Sequence, residues 1–208
     1  PERLSGKCEE IIDELDRIIR YSENGRILKE GIRTVILGKP NVGKSSLINA
    51  ICHDPKLAKT SQKPGKTLLI NQFIVDEAWY LVDLPGYGYA RTSKEQLAKL
   101  KTMIERYCLY RNELTSLFVL VDARLEPQNI DLQFITWLGE NGVPFALVFT
   151  KADKLGAGRL KMNINAYKHK LLEQWEELPP CFITSAETGL GTNELLNYIV
   201  DINQSLLP

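Results

Sequence analysis

A glycine-rich segment of eight residues constrains this chain more than any other part of its sequence. Residues 38–45 read GKPNVGKS, which fits the pattern G-x-x-x-x-G-K-[ST] between an apolar run and a helix-like segment. Its glycines let successive backbone N–H groups face a phosphate chain, and the following helix N-terminus adds positive potential. The pattern predicts a loop that binds nucleotide phosphates, with Lys44 at the β- and γ-phosphates and the Ser45 hydroxyl on Mg²⁺. The nucleotide contacts expected here are Gly38, Asn41, Val42, Gly43, Lys44, Ser45 and Ser46.

Apolar runs rich in Val, Ile and Phe alternate with segments of helical periodicity along the chain. The predicted strands are 33–37, 68–75, 79–82, 117–121, 145–149 and 181–184. The predicted helices lie near 44–52, 93–110, 131–141, 160–177 and 192–207. Such alternation gives a mostly parallel sheet covered by helices on both faces, and the second and third strands are close enough to form an antiparallel hairpin. The fold class is therefore an α/β P-loop NTPase with a six-stranded sheet.

The composition favours a globular protein of the reducing cytosol. The 208 residues suit one compact domain, and Lys plus Arg equals Asp plus Glu at 26 each, so net charge gives no argument for a nucleic-acid or membrane partner. The four cysteines are far apart without a CxxC pair, which disfavours a zinc site or a disulfide framework. The longest apolar runs are of strand length, whereas a membrane span needs about 20 residues.

The N-terminal residues do not follow the strand–helix alternation, and we predict a helical extension at 1–31 before a domain at 32–208. Apolar residues recur there at spacings of three and four, as on one face of a helix. They are Leu4, Cys8, Ile11, Leu15 and Ile18. This stripe either docks on its own domain or packs on a second domain or a partner chain. A monomer is expected, and a dimer stays open.

Two loop motifs follow the phosphate loop. Asp83-Leu84-Pro85-Gly86 comes after a predicted strand, where Asp83 suits Mg²⁺ through water and the Gly86 N–H suits the γ-phosphate. Thr67 can complete the Mg²⁺ coordination only when the γ-phosphate is bound, which makes its loop a switch. Alone, the first motif could be an ordinary turn and Thr67 a solvated loop residue. The candidate catalytic residues are Lys44, Thr67 and Gly86, with Gly65 and Lys66 as further nucleotide contacts.

Segments after the last two predicted strands indicate a guanine site. The first is Thr150-Lys151-Ala152-Asp153, whose Asp153 carboxylate can accept from guanine N1–H and N2–H₂, a donor pair that adenine lacks. The Lys151 stem can lie over the ring plane. The second is Thr184-Ser185-Ala186, where the Ala186 N–H can meet guanine O6. Either could be a charged loop by itself, but their order after the phosphate loop favours guanine recognition.

Three segments resemble one known family. They read KTSQKPGKT at 59–67, WYLVDLPGYGYA at 79–90 and FTKADK at 149–154. From about Lys56 onward, about three quarters of the chain, the sequence resembles the ribosome-assembly GTPase family EngB, also called YihA or YsxC, within the translation-factor type of G domain. The resemblance implies Mg²⁺-dependent hydrolysis of GTP to GDP, a cytoplasmic switch in large-subunit assembly with the pre-50S particle as partner, and roles in cell division and septation.

The first quarter of the chain departs from that family. Residues 25–33 (GRILKEGIR) and 38–41 (GKPN) resemble the G domain of the tRNA-modification GTPase family MnmE, also called TrmE, in which a helix leads into the G domain. EngB proteins generally carry Ser at the position of Pro40 and lack the leading helix. Two origins stay open: a divergent EngB, or a fusion joined between about Asn49 and Lys59. The alternative functions are a tRNA-modification G domain and a nucleotide-dependent scaffold of low activity.

The residue after the Asp83–Gly86 motif predicts slow intrinsic hydrolysis. Many GTPases have Gln there to orient the attacking water, but this chain has Tyr87, and Arg91 is either an arginine finger or a solvent-exposed side chain. A partner or an ion must then raise the rate. Asn41 resembles the K⁺ ligand of MnmE-like GTPases, where the cation replaces an arginine finger; with equal weight, Asn41 could only shape the loop.

Overall fold

The computed structural model describes residues 31–58, 69–88 and 93–206. Several predicted features lie outside these ranges: the N-terminal extension up to residue 30, the loop with Gly65, Lys66 and Thr67, and Arg91. Across the described ranges, every helix is too short or too polar to cross a membrane.

The described strands form one six-stranded sheet. They are β1 (Ile32–Gly38), β2 (Asn71–Val75), β3 (Trp79–Asp83), β4 (Leu114–Asp122), β5 (Phe145–Thr150) and β6 (Cys181–Ile183). Their order across the sheet is β2-β3-β1-β4-β5-β6. β2 runs antiparallel to β3, and the other neighbouring pairs are parallel. The predicted α/β fold with a mostly parallel sheet is confirmed.

The helices cover both faces of the sheet. Those in the described ranges are α1 (Lys44–Ile51), α2 (Lys94–Tyr110), α3 (Asn129–Glu140), α4 (Ala157–Leu172) and α5 (Thr192–Ser205). Alternation along β1 separates two cores: Val35 and Leu37 lie in the core with α2, α3 and α4, whereas Ile36 lies in the core with α1 and α5. A strand buried on both faces reads as a continuous apolar run, which is why the sequence signal of β1 and β4 is strong.

The hairpin between β2 and β3 forms where the sequence predicts it. Val75 pairs with Trp79, and Asp76 and Glu77 between them have positive φ values of 50° and 55°. Such turn residues match the right-handed twist of the strands. β2 begins at Asn71 rather than at the predicted residue 68, because its partner β3 ends at the paired Asp83.

The predicted end of α4 is wrong by five residues, since the helix stops at Leu172 and not at residue 177. The Trp175 ring lies edge-on to Phe145, with centroids 5.7 Å apart. It also packs against Gly139, where an added Cβ would lie 2.4 Å from the ring. Packing this large aromatic side chain against α3 and β5 favours ending the helix.

The carboxyl ends of the parallel strands meet at one edge of the sheet, which is where open α/β sheets bind ligands. At that edge β1 ends at Gly38, β3 at Asp83, β4 at Asp122 and β5 at Thr150. The topology thus brings together motifs that are up to about 110 residues apart in the sequence.

Candidate nucleotide-binding site

The loop between β1 and α1 has the backbone conformation that its sequence predicts. Asn41 has φ 63° and Gly43 has φ 94°, and Gly43 is the N-cap of α1 without a side-chain cap. The first N–H groups of α1 therefore keep their capacity to bind an anion. Ser45 lies in the first turn of this helix and is partly exposed, as a hydroxyl that contacts a ligand must be.

Two glycines let neighbouring loops touch through their backbones. A Cβ on Gly86 would lie 2.4 Å from the Gly38 carbonyl oxygen, and a Cβ on Gly38 would lie 2.9 Å from the Leu120 carbonyl oxygen. A side chain on Gly86 would push its loop away from Gly38, and a side chain on Gly38 would push that residue away from β4. The sequence assigned both glycines to the site, and the structure places them against each other.

Lys44 and Asp83 form an ion pair at the centre of the site. Lys44 Nζ lies 2.6 Å from Asp83 Oδ1 and also donates to the Leu84 carbonyl oxygen. The side chains are only 14% and 6% exposed, so water screens this pair much less than it screens an ion pair at the surface. The predicted phosphate-binding lysine and the predicted Mg²⁺-binding carboxylate are thus in direct contact.

The segment after β5 lies against the phosphate loop. Thr150 Oγ1 donates to the Val42 carbonyl oxygen at 2.6 Å. Lys151, with φ 59°, donates through Nζ to the Asn41 carbonyl oxygen, and its stem passes beside Gly43. The sequence predicted Thr150 and Lys151 as contacts to the base, and the structure also makes them supports of the phosphate loop.

Asp122, at the end of β4, belongs to this site but was missed by the sequence analysis. It accepts from Lys151 Nζ at 2.9 Å and from two nitrogens of Arg124 at 2.9 and 2.7 Å. Burial opposes ionisation, but hydrogen bonds from Arg124 and Lys151 outweigh it and lower the pKa of Asp122 to about 2. Asp122 is therefore a fixed negative charge that holds Lys151 in place. The available signal was a carboxylate directly after a strongly apolar strand.

The ends of β5 and β6 meet through Asp153 and Ser185. Ser185 Oγ donates to Asp153 Oδ1 at 2.6 Å, and Lys154 Nζ lies 2.8 Å from Asp153 Oδ2. Hydrogen bonds from Lys154 and then Ser185 lower the pKa of the Asp153 carboxyl. Ser185 is itself fully buried, and its N–H donates to the Leu190 carbonyl oxygen. Asp153 is thus an oriented acceptor next to the partly buried Ala186.

The Tyr87 side chain is turned towards α3. Its hydroxyl donates to Asp131 Oδ1 at 2.9 Å, and its ring stacks on Phe134 at 4.5 Å between centroids. Sequence reasoning assigned no role to Asp131, whose signal was an acidic residue in the first turn of a mostly apolar helix. Gly65, Lys66, Thr67 and Arg91 lie outside the described residues, and their predicted roles stay predictions.

The chain is similar to known proteins in both sequence and fold. The family model of the 50S ribosome-binding GTPases matches residues 33–151. Probable GTP-binding proteins EngB from Porphyromonas gingivalis and Phocaeicola vulgatus are 64% and 61% identical over 170 residues, which are 82% of this chain and 85% of each of those proteins. A crystal structure of a probable GTP-binding protein EngB has a TM-score of 0.67 at 21% identity and covers 83% of this chain and 99% of that chain. Aquifex aeolicus Era bound to GDP and AlF4⁻ has a TM-score of 0.66 at 24% identity over 85% of this chain and 56% of that one, so these two structures support the fold alone.

The curated relatives also bear on where the EngB resemblance begins. Only 153 residues lie from Lys56 to the C-terminus, whereas the alignments cover 170 residues. They must therefore begin at or before Lys39. They also cross the segment between Asn49 and Lys59, where a fusion of the two families would have its junction. The resemblance is confirmed, and it includes most of the phosphate loop.

The charge of Asp122 can be tested through the pH dependence of stability. Because its pKa is lowered in the folded state, its ionised form stabilises the fold above the unfolded pKa, near 4, and this contribution falls as the pH approaches 2. Asp122→Asn should therefore lower the free energy of unfolding by about 2 kcal/mol at pH 7, and by roughly half as much at pH 3.

Urea unfolding of the nucleotide-free protein at pH 7, 4 and 3 measures this difference. Asp201→Asn, at an exposed position of α5, is the control and should remain close to the parent protein. A deficit for Asp122→Asn that is the same at pH 7 and pH 3 would contradict the assigned charge.

Proposed function

This chain belongs to the EngB family of GTP-binding proteins, and we propose that it hydrolyses GTP with Mg²⁺ as a switch in assembly of the large ribosomal subunit. The observation that carries hydrolysis is the ion pair of Lys44 and Asp83, 2.6 Å apart, where the segment that leads to Gly86 begins. This pair supports the proposal because phosphoryl transfer uses a cation at the phosphates and a carboxylate at the metal ion.

The residues around this pair fit a nucleotide phosphate chain with its metal ion. Lys44 has a flexible four-carbon stem, so its ammonium can turn from Asp83 to the β- and γ-phosphates. Asp83 then stays as a buried carboxylate that suits a water-bridged Mg²⁺, with the Ser45 hydroxyl and Thr67 as the proposed direct ligands. Mg²⁺, when bound, supplies positive charge against the charge that develops on the transferring phosphoryl group.

Guanine recognition is assigned to the contact between Asp153 and Ser185. The Ser185 hydroxyl fixes one carboxylate oxygen at 2.6 Å, and the carboxylate retains lone pairs for the N1–H and N2–H₂ groups of the base. The Lys151 stem, held by Asp122 and the Asn41 carbonyl, offers an apolar surface for one face of the ring. The Ala186 N–H is the proposed partner of guanine O6.

Asp153→Asn tests the base assignment. The amide can present its NH₂ group to the N2–H₂ donor of guanine, so GDP and GTP affinity should fall about 100-fold or more. Xanthine nucleotides keep N1–H but carry a carbonyl acceptor in place of N2–H₂, so they should bind better than to the parent protein. Fluorescence titration with GDP and XDP measures both constants.

The matched control is Glu187→Gln, an exposed carboxylate two residues after Ser185, which should leave both affinities unchanged. Retention of GDP affinity by Asp153→Asn would show that the guanine site lies elsewhere.

Intrinsic turnover should be slow, because Tyr87 is not available to orient water. Its hydroxyl is committed to Asp131, and its ring packs on Phe134. The same observation favours, as a second candidate, a nucleotide-dependent scaffold that barely hydrolyses GTP. A single-turnover assay that detects released phosphate separates these two functions.

A monovalent cation is one proposed source of the missing positive charge, with Asn41 as its ligand. The φ of 63° at Asn41 fits the alternative, that asparagine is there to shape the loop. If K⁺ binds, hydrolysis should be about tenfold faster in KCl than in NaCl of the same ionic strength, and Asn41→Asp should change that ratio. Equal hydrolysis rates in KCl and NaCl would rule out a K⁺ site, and shaping the loop would remain as the role of Asn41.

The ribosomal role rests on family membership, since the matching family model is described as 50S ribosome-binding. We place the protein in the cytoplasm as a monomer, with the pre-50S particle as its partner. Loops whose order depends on the γ-phosphate, among them the one with Gly65 to Thr67, would then present or withdraw the binding surface.

Co-sedimentation with isolated large ribosomal subunits tests this role. The protein should pellet with the subunits in a non-hydrolysable GTP analogue, and at least about fivefold less in GDP, because only GTP orders the switch loops. Lys44→Ala is the control that should not respond to nucleotide. Equal pelleting in the two nucleotides, or none, would rule out a GTP-dependent ribosomal switch.

A further inference from the structure

A buried carboxylate outside the predicted site connects two of its loops. Asp131, on α3, is 0% exposed and lies 2.7 Å from Lys39 Nζ in the phosphate loop. It accepts from the Tyr87 hydroxyl at 2.9 Å and from the Tyr167 hydroxyl on α4 at 2.9 Å. A buried charge is tolerated when it is paired and hydrogen-bonded, and here three donors from separate parts of the chain meet that condition.

The segment after Gly86 is docked on α3 by more than this one bond. The Tyr87 ring stacks on Phe134, and a Cβ on Gly88 would lie 2.7 Å from Ile130 Cδ1. Burial and the neighbouring Asp131 raise the pKa of Tyr87 well above its usual value, so the phenol stays a donor at neutral pH.

The sequence positions of Lys39 and Tyr87 show which parts of the site this hydrogen-bond network connects. Lys39 directly follows Gly38, and Tyr87 directly follows Gly86. Gly38 and Gly86 are the two glycines whose backbones touch, since a Cβ on Gly86 would lie 2.4 Å from the Gly38 carbonyl oxygen. The Asp131 carboxylate thus connects Lys39 and Tyr87, the residues that directly follow the two glycines in contact.

We propose that Asp131 is a positioning residue for GTP: through Lys39 and Tyr87 it fixes Gly86 beside the phosphate loop before nucleotide binds. Its effect is selective, because only GTP carries the γ-phosphate that the Gly86 N–H is proposed to meet. A donor already in place costs less to order on binding, so the anchor favours GTP over GDP. The inference rests on the proposed role of Gly86.

Tyr87→Phe is the sharpest test, since it removes one hydrogen bond and keeps the ring that stacks on Phe134. We expect the affinity for a non-hydrolysable GTP analogue to fall about fivefold to tenfold, while GDP affinity stays within about twofold. The value of kcat should fall together with the GTP-analogue affinity. Asp131→Asn, which also leaves the Lys39 ammonium without its counter-charge, should shift the ratio of the two affinities further in the same direction.

Tyr167→Phe provides the matched control. It removes an equivalent phenol hydrogen bond from the same carboxylate, but Tyr167 lies on α4 and belongs to neither nucleotide loop. If Asp131 merely stabilises the fold, both tyrosine variants should lower the urea midpoint and leave the ratio of GTP-analogue to GDP affinity unchanged. If it positions Gly86, both should lower the midpoint, and only Tyr87→Phe should change the ratio.

An unchanged ratio in Tyr87→Phe, an equal loss of both nucleotides, or a gain in GTP-analogue affinity would overturn the proposal. The proposed hydrolysis has a separate readout. A parent protein that binds both nucleotides without turnover would refute hydrolysis, and the affinity ratio would still decide the role of Asp131.

Discussion

The backbone contact between Gly38 and Gly86 is the constraint on which the rest of the site depends. β1 and β3 are parallel neighbours, with Ile36 paired to Asp83, so the loops that follow them leave the sheet side by side. A Cβ on Gly86 would meet the Gly38 carbonyl oxygen at 2.4 Å, and such a backbone clash cannot be relieved by a side-chain rotation. Because Gly86 has no side chain to widen this spacing, Lys44 from α1 can reach Asp83 and Leu84 across the gap. The strand order, which hydrophobic burial determines, thereby sets the distances of a polar site.

Around that contact, buried carboxylates are each paired with a lysine of a site loop. Asp83 pairs with Lys44, Asp122 with Lys151 and Asp131 with Lys39, at 2.6, 2.9 and 2.7 Å. Burying a charge without a partner is costly, so each pair restricts where its lysine can lie. The pairs differ in whether a bound ligand can replace the aspartate as the partner of the lysine. On the proposed function Lys44 turns to a phosphate, whereas Lys39 and Lys151 neutralise aspartates that also accept from other donors, and so they fix loop positions. One of the three pairs is therefore suited to binding, and two are suited to support.

Most of the fold and the position of the site could be predicted from the sequence, because both depend on local signals. A continuous apolar run predicted the strand at 33–37, which is buried on both faces, and the left-handed φ of Gly43 follows from the glycine pattern of the loop. The wrong and missing predictions concern features that depend on residues distant in the sequence. The end of α4 depends on Trp175 packing against Gly139, 36 residues earlier in the chain. Asp122 and Asp131 were missed because the partners that connect them to the site, Lys151 and Tyr87, are 29 and 44 residues away. Rules based on residue spacing detect neighbours within one helix or strand, but they do not detect contacts between elements that are distant in the sequence.

At position 87 a structural contact excludes a catalytic one, because the Tyr87 hydroxyl is used to bind Asp131. The residue that follows the Asp83–Gly86 motif can orient a water molecule only if its polar group faces the phosphates, and the Tyr87 hydroxyl instead faces Asp131. An anchored Gly86 and a water-orienting residue at position 87 are mutually exclusive in this arrangement. On the proposed function, the protein would then recognise GTP with a preformed site and depend on a cation or a ribosomal partner for hydrolysis. The lifetime of its GTP-bound state would be set from outside the chain, which suits a switch that reports when a partner is engaged.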